Sequence, residues 1–384
     1  MDTACKAGTV SDNNSEHKTP MKASSITCYA VIFLLLFNMG CSQAIDAEKV
    51  SSEGFPMIAP IKSANKYENW TETPMIIEGR MMSVIWKWLK RGERDKPEGQ
   101  IPVVSLNNDS FNGYAADGLL FRWLGHSTVL IEMSSRRILI DPVFSRYASP
   151  VPGFAKRFSK APLNPEQLPH IDAVVISHNH YDHLEKETVV TLSKSGTTFF
   201  VPTGVGDLIR RWGVPPRQIK ELSWWEQSPF ETLTFICVPA RHFSGRGLFD
   251  RDETLWAGWI VRSDKKNIYY SGDTGYANHF AAIGERYGPF DLTMIKIGAY
   301  GDSWPYIHVN PEEAVKAHKE AKGRIFMPVH WATFILALHP WDEPIIRAVK
   351  AAKQNDVRII TPKIGELMDI EKTIINHHWW EEVK

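Results

Sequence analysis

One stretch constrains this chain more than any other: Ile171-Asp-Ala-Val-Val-Ile-Ser-His-Asn-His-Tyr-Asp-His-Leu184. It opens as an apolar run of the kind found in a strand buried on both faces. It then delivers His178, His180, Asp182 and His183 within six residues. A buried strand that ends in imidazoles and a carboxylate points to side chains converging on metal. If the backbone stays extended, alternation puts His178 and His180 on one side, and Asp182 and His183 turn back from the loop that follows. The competing reading is a polar loop with chance histidines, and four ligand-type residues at this spacing weigh against it.

Further along, the pattern of an apolar strand followed by a metal-ligand residue recurs. Leu233–Val238 leads to His242, Asn267–Ser271 to Asp273, and Arg324–Val329 to His330. Tyr306-Ile-His308 precedes a helix that starts at Asn310-Pro311-Glu-Glu, with an Asn cap, Pro in the first turn and early acids. A lone histidine at any of these places is more often structural; the repetition argues for one shared centre. His126 sits in a Gly-His turn between two strands, where a supporting role that orients a ligand is the better reading. His170, His279, His318 and His339 have no supporting pattern, and His377-His378-Trp-Trp380 lies in a packed or solvated tail.

Around these motifs, strands are expected at Leu119–Glu132 (two, with a turn), Arg137–Asp141, Thr198–Pro202, Ile219–Trp224, Leu255–Arg262, Asp291–Lys296 and Val357–Thr361. Helices are expected at Glu185–Ser195, Val205–Trp212 and Glu343–Gln354. Runs of strands with interspersed helices suggest two sheets covered by helices, an α/β (α+β) architecture. Residues 144–169 read as a Pro-rich basic loop placed to line the site.

Residues 1–44 read as a polar tail and signal segment. The apolar run Cys28–Phe37 is too short for a comfortable membrane span but suits a signal-peptide core. Gly40-Cys41 resembles a lipoprotein signal in which Cys41 is lipidated; Ser42-Gln43-Ala44 offers ordinary cleavage, and an uncleaved anchor is the third alternative. Residues 45–117 form an extension, 118–370 the catalytic domain and 371–384 a C-terminal tail. Within the extension, residues 81–91 pattern as an amphipathic helix with Met81, Val84, Ile85, Trp88 and Leu89 on one face. Trp and Lys/Arg around that stripe suit a lipid surface, but docking on the main domain is the more common use of such a face. Lys plus Arg and Asp plus Glu are equal at 44 each, so no basic excess points to nucleic acid. The four cysteines, Cys5, Cys28, Cys41 and Cys237, make neither a metal-type pair nor a disulfide framework.

Taken together, His-x-His-x-Asp-His followed by His242, Asp273 and His330 resembles the metallo-β-lactamase superfamily, over roughly Gly118 to Ile370. Six motifs are similar to the N-acylphosphatidylethanolamine-hydrolysing phospholipase D family and its bacterial relatives. They are Trp123-Leu-Gly-His-Ser-Thr128, Ile140-Asp-Pro142, Ser177-His-Asn-His-Tyr-Asp-His183, Gly272-Asp-Thr-Gly-Tyr276, His308-Val-Asn-Pro-Glu-Glu313 and His330-Trp-Ala-Thr-Phe334. The resemblance implies a four-layer αβ/βα sandwich with a binuclear site at the sheet edge. His178, His180 and His242 would hold one metal, Asp182, His183 and His330 the other, and Asp273 would bridge them. It implies two zinc ions, with iron or manganese not excluded by these ligands. His308 would face substrate as hydrogen-bond donor or acid, with a supporting histidine as the alternative, and Asp182 is also a candidate proton acceptor.

Two adjacent dications bring a bridging water towards ionisation at neutral pH, giving a hydroxide that attacks phosphorus or a carbonyl carbon. No Ser or Cys nucleophile is needed, and no Gly-x-Ser-x-Gly elbow is present. The expected function is therefore a zinc-dependent phosphodiesterase of phospholipase D type acting on N-acylated or similar phospholipids. The expected partners are that substrate and a membrane surface; a homodimer is left open and nucleic acid is not expected. Alternatives are a hydrolase of a soluble phosphodiester, lactone or amide, and a non-catalytic metal-binding protein of the envelope. The expected location is the cell envelope, anchored through Cys41, or the periplasm or exterior.

Overall fold

The computed structural model describes residues 59–383, apart from 90–94, 112–117, 152 and 373–375. The expected signal segment with Cys41 lies outside these residues, as do Lys90 and Arg91 of the amphipathic stretch. In chain order the strands are β1 (Ile61–Ser63), β2 (Lys66–Glu68), β3 (Leu119–Gly125), β4 (Thr128–Met133), β5 (Arg136–Ile140), β6 (Ala173–Val175), β7 (Thr198–Pro202), β8 (Ile219–Leu222), β9 (Gln227–Phe230), β10 (Leu233–Val238), β11 (Gly258–Arg262), β12 (Asn267–Tyr270), β13 (Phe290–Lys296), β14 (Gly323–Val329) and β15 (Leu367–Asp369). The α-helices are α1 (Met81–Leu89), α2 (Lys186–Ser193), α3 (Val205–Arg211), α4 (His279–Tyr287), α5 (Pro311–Glu320) and α6 (Glu343–Gln354).

A seven-stranded sheet runs β15-β3-β4-β5-β6-β7-β8, and a six-stranded sheet runs β14-β13-β12-β11-β10-β9. Alternation along the strands explains the layers. In β4, Val129, Ile131 and Met133 enter the core shared with the second sheet, while Leu130 faces the other way. There it meets Val189 and Leu192 of α2 and Val205 and Ile209 of α3 in a separate apolar cluster. Helices α4, α5 and α6 bring Phe280, Ile283, Ala314, Val315, Ile345 and Ala348 to the second sheet. The result is the four-layer αβ/βα arrangement.

Several expectations change on contact with the tertiary structure. The strand β6 ends at Val175, and the chain bends from Asn179 rather than staying extended through His180. No ladder forms over 357–361: Phe326 N donates to Arg358 O (2.9 Å) and Ile360 N to Phe326 O (2.8 Å), with a single parallel bridge to Ile359. The β9 and β15 strands escape a sequence reading because they are short edge strands, and Pro229 sits in β9 where only an edge tolerates it. Helix α4 contains Gly284, which looks like a breaker. A Cβ there would lie 2.1 Å from Glu320 O, so the glycine serves the close approach of α4 to α5.

The amphipathic helix α1 does dock, with Val84 fully buried and Met81 and Ile85 half-buried. Its other edge leaves Met82 and Trp86 exposed. The C-terminal tail is packed: Trp379 stacks on Trp331 (5.2 Å), which stacks on Trp123 (5.3 Å). The loop at 144–169 leans on the segment after His330, through Phe158 N to Thr333 O (2.8 Å) and the Arg157 guanidinium over Phe334.

Candidate metal centre

The centre is built outward from β6. Ile171, Ala173, Val174, Val175 and Ile176 are all fully buried, which locks the position of the residues that follow. At Ser177 the chain meets Asp141, which directly follows the neighbouring strand β5. Asp141 Oδ1 accepts from Ser177 N (2.7 Å), and Oδ2 accepts from Ser177 Oγ and the Tyr270 hydroxyl (both 2.5 Å). The same Oδ2 lies 2.6 Å from His183 Nδ1. A carboxylate behind Nδ1 fixes the ring and directs Nε2 forward, as second partners of metal-binding histidines do. The turn closes with Leu184 N donating to His180 O (2.8 Å). Arg246 pins it from outside, donating from Nη1 to Asn179 O (2.7 Å) and Leu184 O (2.8 Å).

The seven expected donors come together, from the ends of four strands. His178 Nε2 lies 2.8 Å from His180 Nδ1, and His242 Nε2 lies 3.3 Å from the same atom. Asp182 Oδ2 lies 3.3 Å from His183 Nε2 and 3.2 Å from His330 Nε2. Asp273 Oδ2 is 3.1 Å from His330 Nε2, 3.5 Å from His183 Nε2 and 3.9 Å from His242 Nε2, touching both groups. Donors about 2.0–2.1 Å from a tetrahedral metal are separated by edges of about 3.3 Å, so these spacings suit two ions sharing Asp273. His126 Nε2 is hydrogen-bonded to Asp182 Oδ2 (2.9 Å), the orienting position expected of it, and it is near enough to stand among the candidate donors.

The electrostatics fit a cation. Burial pushes His126 down to about 3 and His180 down to about 4, and holds His178 and His242 well below the usual imidazole range. Burial opposes ionisation of Asp182 and Asp273, yet the imidazoles around them, His183 foremost for Asp182 and His330 for Asp273, hold both well below the usual carboxylate range. Burial likewise opposes charge on His183, but Asp182, Asp273 and Asp141 push its pKa well above normal. Asp182 and Asp273 thus draw a positive charge onto His183, a proton that a bound cation would displace. Neutral imidazoles and ionised carboxylates are the forms that bind metal. Among the described residues, His183 Nε2, His330 Nε2 and Asp273 Oδ1 are buried without hydrogen-bond partners, as expected of groups reserved for coordination.

His308 stands beside this cluster, with Nδ1 3.6 Å from Asp273 Oδ2 and its ring 5.1 Å from that of His242. Its loop is held tightly: His242 Nδ1 donates to Ile307 O (3.0 Å) and Val309 N to Thr274 O (2.8 Å). A Cβ on Gly275 would fall 1.8 Å from Tyr306 O, so only glycine admits this approach. Two residues later Asn310 begins α5 through a capping box, accepting from Glu313 N (2.9 Å) while Glu313 Oε2 accepts from Asn310 N (3.0 Å). Behind His308 lies Lys296, the last residue of β13 and fully buried. Lys296 Nζ donates to Gly298 O (2.7 Å) and to His308 Nδ1. Burial lowers its pKa to about 8, against the opposing pull of Asp273 and Asp182. Burial and then the Lys296 charge hold His308 well below the ordinary range.

Sequence reasoning singled out neither Lys296 nor the role of Asp141. For Asp141 the signal was available, since it too is a carboxylate directly after an apolar strand. The extension also reaches the centre: Asn69 Nδ2 donates to His242 O (2.7 Å), and Asn69 Oδ1 accepts from His242 N (3.2 Å).

Residues 136–331 match the family described as the beta-lactamase superfamily domain. An uncharacterised protein of Mycobacterium tuberculosis is 40% identical over 368 residues, covering 94% of this chain and 98% of that one. N-acyl-phosphatidylethanolamine-hydrolyzing phospholipase D 1 of Caenorhabditis elegans is 35% identical over 293 residues, 71% of this chain and 81% of the relative. Among solved structures, a metallohydrolase from Ignicoccus hospitalis superposes with a TM-score of 0.51 at 22% identity, over 66% of this chain and 99% of that one; at that identity it speaks for the fold alone. With the sandwich, the donor set at its edge and these relatives in agreement, the chain belongs to the metallo-β-lactamase superfamily and is a metal-dependent hydrolase.

Proposed function

We propose that the chain is a phosphodiesterase of phospholipase D type, acting on N-acylphosphatidylethanolamine-like phospholipids at a membrane surface with two zinc ions. The observation that carries this reading is a seven-donor centre whose flanking segments present apolar side chains to solvent. Phe249, 86% exposed, stands on the loop that Gly245 N and Arg246 tie to Asn179, within the donor turn. Met82, 73% exposed, stands on α1, which follows a segment tied by Ile77 N and Arg80 to the loop carrying His308. Apolar side chains set around a site suit a substrate drawn from a lipid layer. The 35% identity to the Caenorhabditis elegans phospholipase supports the same substrate class. The expected signal segment in residues 1–44, with Cys41 as its candidate lipidation site, is the ground for a lipid-anchored location at the cell envelope.

His178, His180 and His242 would hold one zinc, Asp182, His183 and His330 the other, with Asp273 shared; donors without cysteine suit this metal. When bound, such a pair supplies Lewis acidity and a water that ionises near neutral pH. The chain's own residues provide the rest. Asp141 and His126 fix the rings and the carboxylate that face the centre. Asp182 Oδ2 is already shared among three imidazoles, so it is a weak proton acceptor and serves mainly to hold. His308, neutral and partly open to solvent, offers a hydrogen bond to a phosphoryl oxygen or to the departing alkoxide. In the overall reaction water adds to phosphorus, the bond from phosphorus to the ethanolamine oxygen breaks, and phosphatidic acid and an N-acylethanolamine leave.

The test is zinc content of the purified protein together with hydrolysis of vesicle-borne N-acylphosphatidylethanolamine, bis-p-nitrophenyl phosphate and a lactone panel. Two zinc ions per chain with release of phosphatidic acid is the expected result. Turnover of the soluble diester or a lactone with none of the phospholipid would remove the lipid assignment.

A further inference from the structure

The buried lysine behind His308 has no part in holding metal, and its geometry gives it a different task. We propose that Lys296 is a positioning residue: its side chain occupies His308 Nδ1 and so places the ring proton on Nε2, making His308 a hydrogen-bond donor towards the substrate. The inference rests on the reading of His308 as substrate-facing.

An ammonium has three donors and no acceptor, whereas a neutral imidazole has one donor and one acceptor. The contact from Lys296 Nζ therefore makes Nδ1 the acceptor. Lys296 is itself held, because Nζ also donates to Gly298 O (2.7 Å), and its backbone N donates to Ser271 Oγ (3.3 Å), two residues before Asp273. The rival partner for Nδ1 is Asp273 Oδ2, which would demand a proton there. At 3.6 Å it is beyond hydrogen-bond range, and the lysine is the nearer group. Among the described residues Nε2 of His308 has no hydrogen-bond partner, while the side chain keeps 14% of its exposure. The nitrogen that carries the proton is thus the one left for a ligand. Which ring nitrogen is protonated is set by what the other one bonds, and here that partner is buried and fixed.

The proposal is tested on the zinc-loaded protein by ¹⁵N NMR of the imidazoles, with the His308 signals assigned by their loss in His308→Gln. Wild type is expected to show His308 protonated at Nε2. In Lys296→Met, close in volume and without the charge, the proton is expected to redistribute towards Nδ1. There kcat for phosphodiester hydrolysis should fall ~10–100-fold, with KM and zinc content little changed. The wild-type spectrum decides even if the variant does not fold: protonation at Nδ1 overturns the proposal. So does an unchanged tautomer in Lys296→Met, whatever kcat does. The spectra need no substrate, so failure of the phospholipid assignment leaves this result readable.

Discussion

One histidine within the donor cluster and one beside it have opposite charges behind them. Behind His183 lies the Asp141 carboxylate, 2.6 Å from Nδ1 and saturated by Ser177 and Tyr270. Behind His308, in the same place on the ring, lies the Lys296 side chain. A carboxylate accepts the Nδ1 proton, raises the basicity of the ring and turns a lone pair at Nε2 towards the centre, which is what a metal ligand needs. An ammonium donates to Nδ1, lowers the basicity and leaves a proton at Nε2, which is what a substrate-binding donor needs. The pKa directions run the same way, through more than one group: against burial, Asp182, Asp273 and Asp141 hold His183 well above the ordinary range, while burial and then Lys296 hold His308 well below it. One residue type is thus given two hydrogen-bonding roles by the group that meets its Nδ1.

The largest effect is expected from removing the donor side. His308→Ala should lower kcat on the order of 10²–10³-fold, with metal content close to that of wild type. Elemental analysis alongside steady-state kinetics checks this, and loss of metal would move His308 to the ligand side. A smaller effect is expected on the other flank. Asp141→Asn should weaken metal binding by ~10–100-fold, read by chelator competition, and excess metal should recover most of the turnover. If activity stays low at saturating metal, Asp141 does more than orient His183.

The smallest effect on turnover is expected at His279, whose contribution is to stability: it is a buried histidine whose Nδ1 has no hydrogen-bond partner among the described residues. Burial, then Arg241, pushes its pKa from 6.5 down to about 3. The unfolded chain therefore takes up a proton on this residue that the folded chain refuses. Its contribution to stability is whole above pH 6.5 and is lost as pH falls from there towards 3, at about 1.4 kcal/mol per pH unit. Thermal melts across that range should show a shallower acid dependence in His279→Gln, and an unchanged slope would rule the residue out as a source of acid lability.

Much of this centre is legible in the chain. The rule of an apolar strand followed by His or Asp found His242, Asp273 and His330, because a strand buried on both faces must deliver its next residues to the sheet edge. The helix at Glu343–Gln354 and the capped start at Asn310 follow from local chemistry, and both appear at the expected bounds. The reading weakened where a local signal was overruled. Gly284 looks like a breaker yet sits inside α4, since another helix packs on it. Residues 357–361 have strand composition but find only one bridge beside β14. Lys296 reads as the polar end of an apolar strand, the place where lysines usually reach solvent; in the fold the loop carrying His308 closes over it.

The identity and order of the donors, and the strands that carry them, are written in the chain, because hydrophobic runs and the residues that end them are neighbours in sequence. The partner of each ring is not, and depends on packing. Asp141 reaches His183 across 42 positions and Tyr270 reaches Asp141 across 129. Such contacts exist only after two sheets have paired and packed. In that buried space, where water no longer levels charge, the neighbour behind a histidine decides whether it offers a lone pair or a proton.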